Sequence, residues 1–437
     1  MKNTKKKSKF KSKNIRHAFT GVKLTQYSGL SPIMKYLNGQ NLGKELNKIF
    51  PTLMYNSSKF SNVQVLLSVV LASIAGVHRL KRISHFTRDS LVMNLLGLEK
   101  DLNKDVIGIR LKQMGQSGSI KLQEFLFKWQ KRWMDKVVND SITLDADSTV
   151  QTVYGNQEGA AKGYNSHKKG AKSYHPLLIF ASELKIVLNS WFRTGSAYTS
   201  NGICEFLKQT KELLSKNIKN VFFRADSGFF NGTLFDLLES YGWTYLVKVK
   251  LKNLKTLLMS QEWEIVEGKP NIAICEFEYK GKNWEKPRKL RAIRSVKRWI
   301  ETDFFGKNQL VAEYEYACYC SNLEKDAVEL HENYKRRSVS ETWIEEVKSQ
   351  LLAGKNLTDD FHANDILWQL QVLAYNISVM MRYKVKKYWR QEHKTLRDWF
   401  INIPAKLVCG GHQLTLKIYE HYYYKNRWIE LDQLLSI

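Results

Sequence analysis

The stretch from Ser141 to Lys250 changes its hydrophobic period in an order that few architectures accommodate. Side chains alternate across a strand, so Ile142, Leu144 and Ala146 fall on one face and Thr143, Asp145 and Asp147 on the other. Two strand-like runs follow at 174–181 and 184–192. A helical stretch at 202–214 leads to a strand at 220–226, then a helix at 231–241 closed by Gly242, then a strand at 243–250. The series is three strands, helix, strand, helix, strand.

The flanks read differently. From Leu42 to Trp133 apolar residues recur at helical spacing, with breaks near Pro51, Gly76, Gly97 and Gly115 to Gly118. Within it, 89–114 reads as two short helices meeting near Lys104, with Arg110 and Lys112 on the second, a weak helix-turn-helix pattern. After Leu251 alternating strands return at 272–279, 288–296 and 309–321. A long helix spans 328–353 and ends at Gly354, helix returns at 365–389, and Pro404 and Gly410-Gly411 punctuate the tail. By analogy of element order the expected class is α/β: a ribonuclease H-like core (136–250 and 325–356) interrupted by a β-rich insertion (251–324). A basic arm (1–20) and a helical domain (21–135) precede it, and a helical region (357–437) follows.

Three carboxylates stand out in this frame. Sites in an open α/β sheet form at strand ends and adjacent loops, where an Asp leaving strand 142–150 and another ending strand 220–226 can meet. Asp147 and Asp226 are those residues. Asp145 shares the strand face of Asp147 and competes for the first position or supports it. The helix at 328–353 carries Tyr334, Arg337, Glu341 and Lys348 within an arc of about 60° at 100° per residue. Val339, Trp343, Ile344, Val347 and Leu351 occupy another sector, so one face anchors while the other presents polar groups. A solvated face with an Arg337–Glu341 pair would satisfy the same spacing.

Tyr334-x2-Arg337-x3-Glu341-x6-Lys348 resembles the Tyr-Arg-Glu-Lys signature of one branch of the DDE transposases of bacterial insertion sequences. The runs LDADST at 144–149, YGNQEGAAKGYN at 154–165, KKGAKSYHPLL at 168–178 and RADSGF at 224–229 resemble that family's other blocks in the same order. The resemblance implies that Asp147, Asp226 and Glu341 hold divalent ions, two Mg2+ per site with Mn2+ as a substitute, and that Tyr334, Arg337 and Lys348 grip transposon-end phosphates. It further implies cut-and-paste DNA transposition through a hairpin intermediate, and a homodimer on paired ends. An aromatic residue of the insertion stacks on a flipped base in that family, and Trp263, Trp284 and Trp299 are the candidates here. His167, Lys168, Lys169 and His175 form a basic loop block suited to DNA. A nuclease without strand transfer and a non-catalytic DNA-binding protein are the rival readings.

Charge agrees with a double-stranded DNA partner. Lys and Arg number 69 against 42 Asp and Glu, a net +27 that attracts polyanions. Residues 1–17 hold eight Lys or Arg and almost nothing apolar, which predicts a disordered arm contacting phosphates. The longest apolar stretches, 63–77 and 366–381, are too short or interrupted for a bilayer and read as buried helices. The five cysteines are scattered, and the Cys318-x-Cys320 pair lacks the second pair a zinc site needs. A reducing cytoplasm and nucleoid association are expected.

Overall fold

The computed structural model describes residues 15–51, 60–165, 168–198, 200–304, 307–353, 355 and 358–436. Most of the basic arm, His167 and the helix-ending Gly354 lie outside them. After a short strand β1 (Leu24–Thr25) come helices α1 (Leu30–Gly39), α2 (Leu42–Ile49), α3 (Asn62–Ala75), α4 (Leu80–Phe86), α5 (Ser90–Leu96) and α6 (Lys104–Val137). Their limits follow local chemistry. Ser61 and Gln64 close a reciprocal capping box at the start of α3, and Gly76 ends it at φ 81. Asp89 and Asn103 cap α5 and α6. The break expected at Gly115 is a kink within α6, where Gly115 sits at φ 53 and ψ −156.

The strand series then folds in the order read from the sequence. β2 (Ser141–Ser148), β6 (Leu177–Ala181) and β7 (Ile186–Trp191) form an antiparallel meander; α7 (Ile203–Leu213), β8 (Asn220–Ala225), α8 (Gly232–Ser240) and β9 (Thr244–Lys248) complete it. Between β2 and β6, strands β3 (Gln151–Thr152), β4 (Ala161–Lys162) and β5 (Lys172–Tyr174) make a small separate sheet in the order β3-β5-β4. β8 pairs parallel with β2, and β9 parallel with β8.

After a short helix α9 (Leu254–Met259), strands β10 (Glu264–Ile265), β11 (Ile272–Tyr279), β12 (Arg288–Phe304) and β13 (Lys307–Ser321) form where alternation predicts them. They do not make a sheet of their own. Tyr319, Cys320 and Ser321 of β13 pair with Lys248, Val247 and Leu246 of β9, giving a nine-stranded mixed sheet in the order β10-β11-β12-β13-β9-β8-β2-β6-β7. The distal halves of β12 and β13 pair only with each other, as a ribbon.

The expected helix at 328–353 is broken into α10 (Ala327–Lys335), a 3-10 turn (Arg336–Ser338), α11 (Val339–Glu345) and a π turn (Glu346–Gln350). α12 (Phe361–Lys384) follows, almost wholly buried, and packs against α3, α6 and β7. Its Asn376 bonds both the N–H and the C=O of Val187, satisfying backbone on the sheet's edge strand. The tail is not purely helical. Beyond α13 (His393–Leu396), β14 (Ala405–Gly410) and β15 (Gln413–Ile418) form a hairpin that pairs with β1, before α14 (Lys425–Leu435). Of the glycines read as punctuation, Gly410 ends β14 and Gly411 enters the two-residue turn with His412, at φ 55 and 61. Among the described residues no single helix is long and apolar enough to cross a membrane.

Candidate active site

Parallel pairing of the interior strands β2 and β8 brings their C-terminal ends to the same end of the sheet. Asp147 lies one residue from the end of β2, and Asp226 directly follows β8. Asp226 caps a 3-10 turn at Ser227–Phe229, its Oδ1 accepting from the Gly228 N–H at 2.9 Å. The Oδ1 of Asp147 accepts from the Ser148 N–H at 2.8 Å, and its Oδ2 accepts from an Arg337 terminal nitrogen at 2.7 Å. Burial is the main force on the Asp147 carboxyl; Arg337 opposes it and the Asp226 charge reinforces it, leaving the group pushed up to about 6.

The broken helix lies over these strand ends. Its 3-10 turn swings Arg337 inward, where the side chain is 4% exposed and also donates to the Ala146 carbonyl at 3.2 Å. Arg337 therefore does not project as a surface phosphate contact. An Arg beside two carboxylates is drawn to the nearer one, and a tight turn carries it there. Burial works against its charge, but Asp147, Tyr334, Asp226 and Asp145 outweigh it and raise its pKa. Its Nε stays buried and unpaired among the described residues, so one donor remains to be given. Tyr334 lies under the same guanidinium, 5.9 Å from ring centroid to Cζ, and packs on Tyr319. Burial raises its phenol pKa, and Arg337, Asp226, Asp147 and Glu341 all act on it electrostatically, so Tyr334 neighbours the whole group.

Glu341 occupies the first turn of α11, exposed and with no hydrogen-bond or ion-pair partner among the described residues. Hard carboxylate oxygens, here with the Asp226 charge acting unfavourably on Asp147, are the donors a divalent cation takes. Among the described residues no three His, Cys, Asp or Glu side chains converge into a ready cage. Asp145, the competitor for the first position, is committed elsewhere. It is 1% exposed, takes two hydrogen bonds from Arg224 at 2.7 and 2.8 Å, and accepts from the Ser182 hydroxyl. Sequence reasoning passed over Arg224, although it stands inside RADSGF two residues before Asp226.

The other candidates scatter. Lys348 sits half-buried in the π turn, its pKa lowered by burial against the pull of Glu345. Lys168 and Lys169 are exposed, with the Lys168 ammonium 4.8 Å from the Tyr154 ring centroid. His175 is buried rather than offered to DNA. Its Nδ1 contacts the Ala197 carbonyl at 2.5 Å and its Nε2 the Ser148 hydroxyl at 3.1 Å, and burial lowers its pKa. Trp263 donates to the Leu258 carbonyl beneath Arg294, and Trp284 packs among Phe230, Phe235 and Tyr279. Trp299 is 58% exposed on the β12–β13 ribbon, well suited to stacking. In the expected helix pair Arg110 is buried and Lys112 is paired with Asp359 at 3.1 Å, so neither is a free groove-reading side chain. Two basic grooves went unread in the sequence. One, of about 920 Å³, is lined by Lys81, Lys104 and Lys112 against Asp105 and Asp359; the other, of about 840 Å³ and more strongly basic, by Arg82, Arg88, Lys406 and Lys417 against Asp89.

The model of the family described as transposase DDE domain group 1 matches residues 7–436. No curated protein matches the sequence. Among solved structures the chain is similar to a piggyBac transposase synaptic complex with hairpin DNA, at 12% identity and TM-score 0.49 over 85% of this chain and 79% of that one. It is also similar to a Mos1 strand transfer complex, at 10% identity and TM-score 0.18 over 44% of this chain and 59% of that one.

Proposed function

The chain belongs to the transposase DDE domain group 1 family, and from that premise we propose that it cuts and rejoins DNA at Asp147, Asp226 and Glu341. The observation that carries the reading is the meeting of Asp147 and Asp226 at the ends of adjacent parallel strands, under the helix that bears Tyr334, Arg337 and Glu341. The strand order β7-β6-β2-β8-β9 supports a ribonuclease H-like core, with β10 to β13 as an insertion that extends its sheet.

Asp147, Asp226 and Glu341 would hold Mg2+, or Mn2+ in its place. Two such ions would supply an activated water and stabilise the attacking and leaving oxygens of the phosphodiester. The chain's own groups do the rest. Asp147 must be ionised, and Arg337 keeps it oriented and favours that charge. Arg337, buried against Asp147, acts on the carboxylate beside Tyr334, while Lys348, Lys168 and Lys169 hold flanking DNA backbone as point charges. Trp299 stacks on an unpaired base at the cut. A homodimer brings two transposon ends together, and the product of the first cut supplies the 3′ hydroxyl for joining.

Purified protein, Mg2+ and labelled DNA bearing the terminal inverted repeats of its element test this directly. Joined products are expected. Cut but unjoined ends would instead indicate a nuclease, and binding alone a DNA-binding protein. Cleavage that survives Glu341→Ala or Asp226→Ala would overturn the site.

A further inference from the structure

One level below the carboxylates lies a second charged pair. Asp145 and Arg224 are direct register partners on β2 and β8, and each precedes Asp147 or Asp226 by two positions. Residues two apart on a strand share a face, so the pair stands on the same side of the sheet, one step deeper. Arg224 gives Nε and one terminal nitrogen to Asp145 at 2.7 and 2.8 Å. Its other terminal nitrogen donates at 2.9 Å to the carbonyl of Asn333, the residue before Tyr334. Ser182, in the turn between β6 and β7, donates its hydroxyl to Asp145. The two charged side chains are 7% and 1% exposed.

Stability does not account for such a pair. Two charges taken out of water are often replaced by apolar residues of similar volume with no loss, and sometimes with a gain. What a planar guanidinium satisfied in three directions does provide is fixed geometry. Here it fixes three elements at once: β2, β8 and α10.

We propose that Arg224, held by Asp145, is a positioning residue that sets the separation of Asp147 and Asp226 and seats α10, so that Tyr334, Arg337 and Glu341 arrive over them. The proposal rests on the reading of those carboxylates as the cleavage centre.

The test compares wild type with Asp145→Leu/Arg224→Leu and with Arg224→Lys, by thermal unfolding, Mn2+ binding followed by electron paramagnetic resonance, DNA-end binding and end cleavage. The double variant is expected to unfold at the same temperature or higher and to bind DNA ends like wild type. Its cleavage is expected to fall about 100-fold, as a misplacement of about 1 Å would cause. Its half-saturating Mn2+ is expected to rise about tenfold, the usual effect of losing a group that orients ligands. Lysine keeps a charge but loses the fork, so Arg224→Lys should fold normally and still cleave about tenfold slower. A folded double variant with wild-type cleavage and Mn2+ binding would reduce the pair to a replaceable part of the fold and overturn the proposal. If the double variant fails to fold, Arg224→Lys at full activity overturns it alone. Wild type that holds Mn2+ yet leaves DNA uncut would remove the cleavage reading instead, and the Mn2+ shift in the variants would then decide the positioning role.

Discussion

Asp147 is the residue on which pH should act. Its carboxyl, pushed up to about 6 by burial and by Asp226, binds a proton more tightly in the folded chain than in the unfolded one. The sign follows: this group stabilises the metal-free fold fully below about pH 4, and the contribution is gone once pH passes about 6. Divalent ions need the ionised form, so Mg2+ should raise the melting temperature clearly at pH 7.5 and barely at pH 5. Equal shifts at both values would detach Asp147 from the metal. Arg337 lowers the same pKa, so Arg337→Met should move the acid limb of Mn2+ binding to higher pH. A limb that stays put would mean that the 2.7 Å contact has no electrostatic consequence.

At the level of elements, the longer strands and helices between Ser141 and Lys248 are legible because each carries its own period, whereas β3, β4 and β5, of two or three residues each, are too short to show one. The inward turn of Arg337 is not legible either. A helical wheel assumes 100° per residue, and the 3-10 turn at Arg336–Ser338 breaks that count between Tyr334 and Glu341. Strand alternation likewise treats a charged position as an outward one, which hid the Asp145–Arg224 pair, although parallel register alone would align those two positions. Nor does any local pattern say that β13 joins β9, since register between distant strands leaves no periodic trace. The small sheet offers a direct check on local packing. A Cβ on Gly195 would stand 2.0 Å from the Ser173 carbonyl oxygen and 2.4 Å from that of Ala161. Gly195→Ala should therefore cost about 1–3 kcal/mol, read as a lowered melting temperature, because backbone must move to admit it. An unchanged melting temperature would mean that β4 and β5 separate freely.

Across the whole molecule the net charge of +27 sets how DNA is met. Phosphate contacts release counterions, so affinity for a duplex should fall about 10³- to 10⁵-fold between 50 and 200 mM salt if some 6–10 phosphates are engaged. A flat response would contradict any role for the two basic grooves. Helices from both flanks of the sheet also share one core: His393 contacts the Ile74 carbonyl at 2.7 Å, and Asn402 donates to that of Ala75. The tail reaches back to β1 as well: deleting 405–436 removes its partner β14, so residues 25–30 should open to protease, and protection there would show that β1 does not depend on β14. That dependence has a cost in time. β14 is made some 380 residues after β1, on the order of 20–80 s at ribosomal rates of about 5–20 residues per second. Through that interval an early segment waits for a late one, so β1 stays an unpaired edge until the ribosome has delivered its partner.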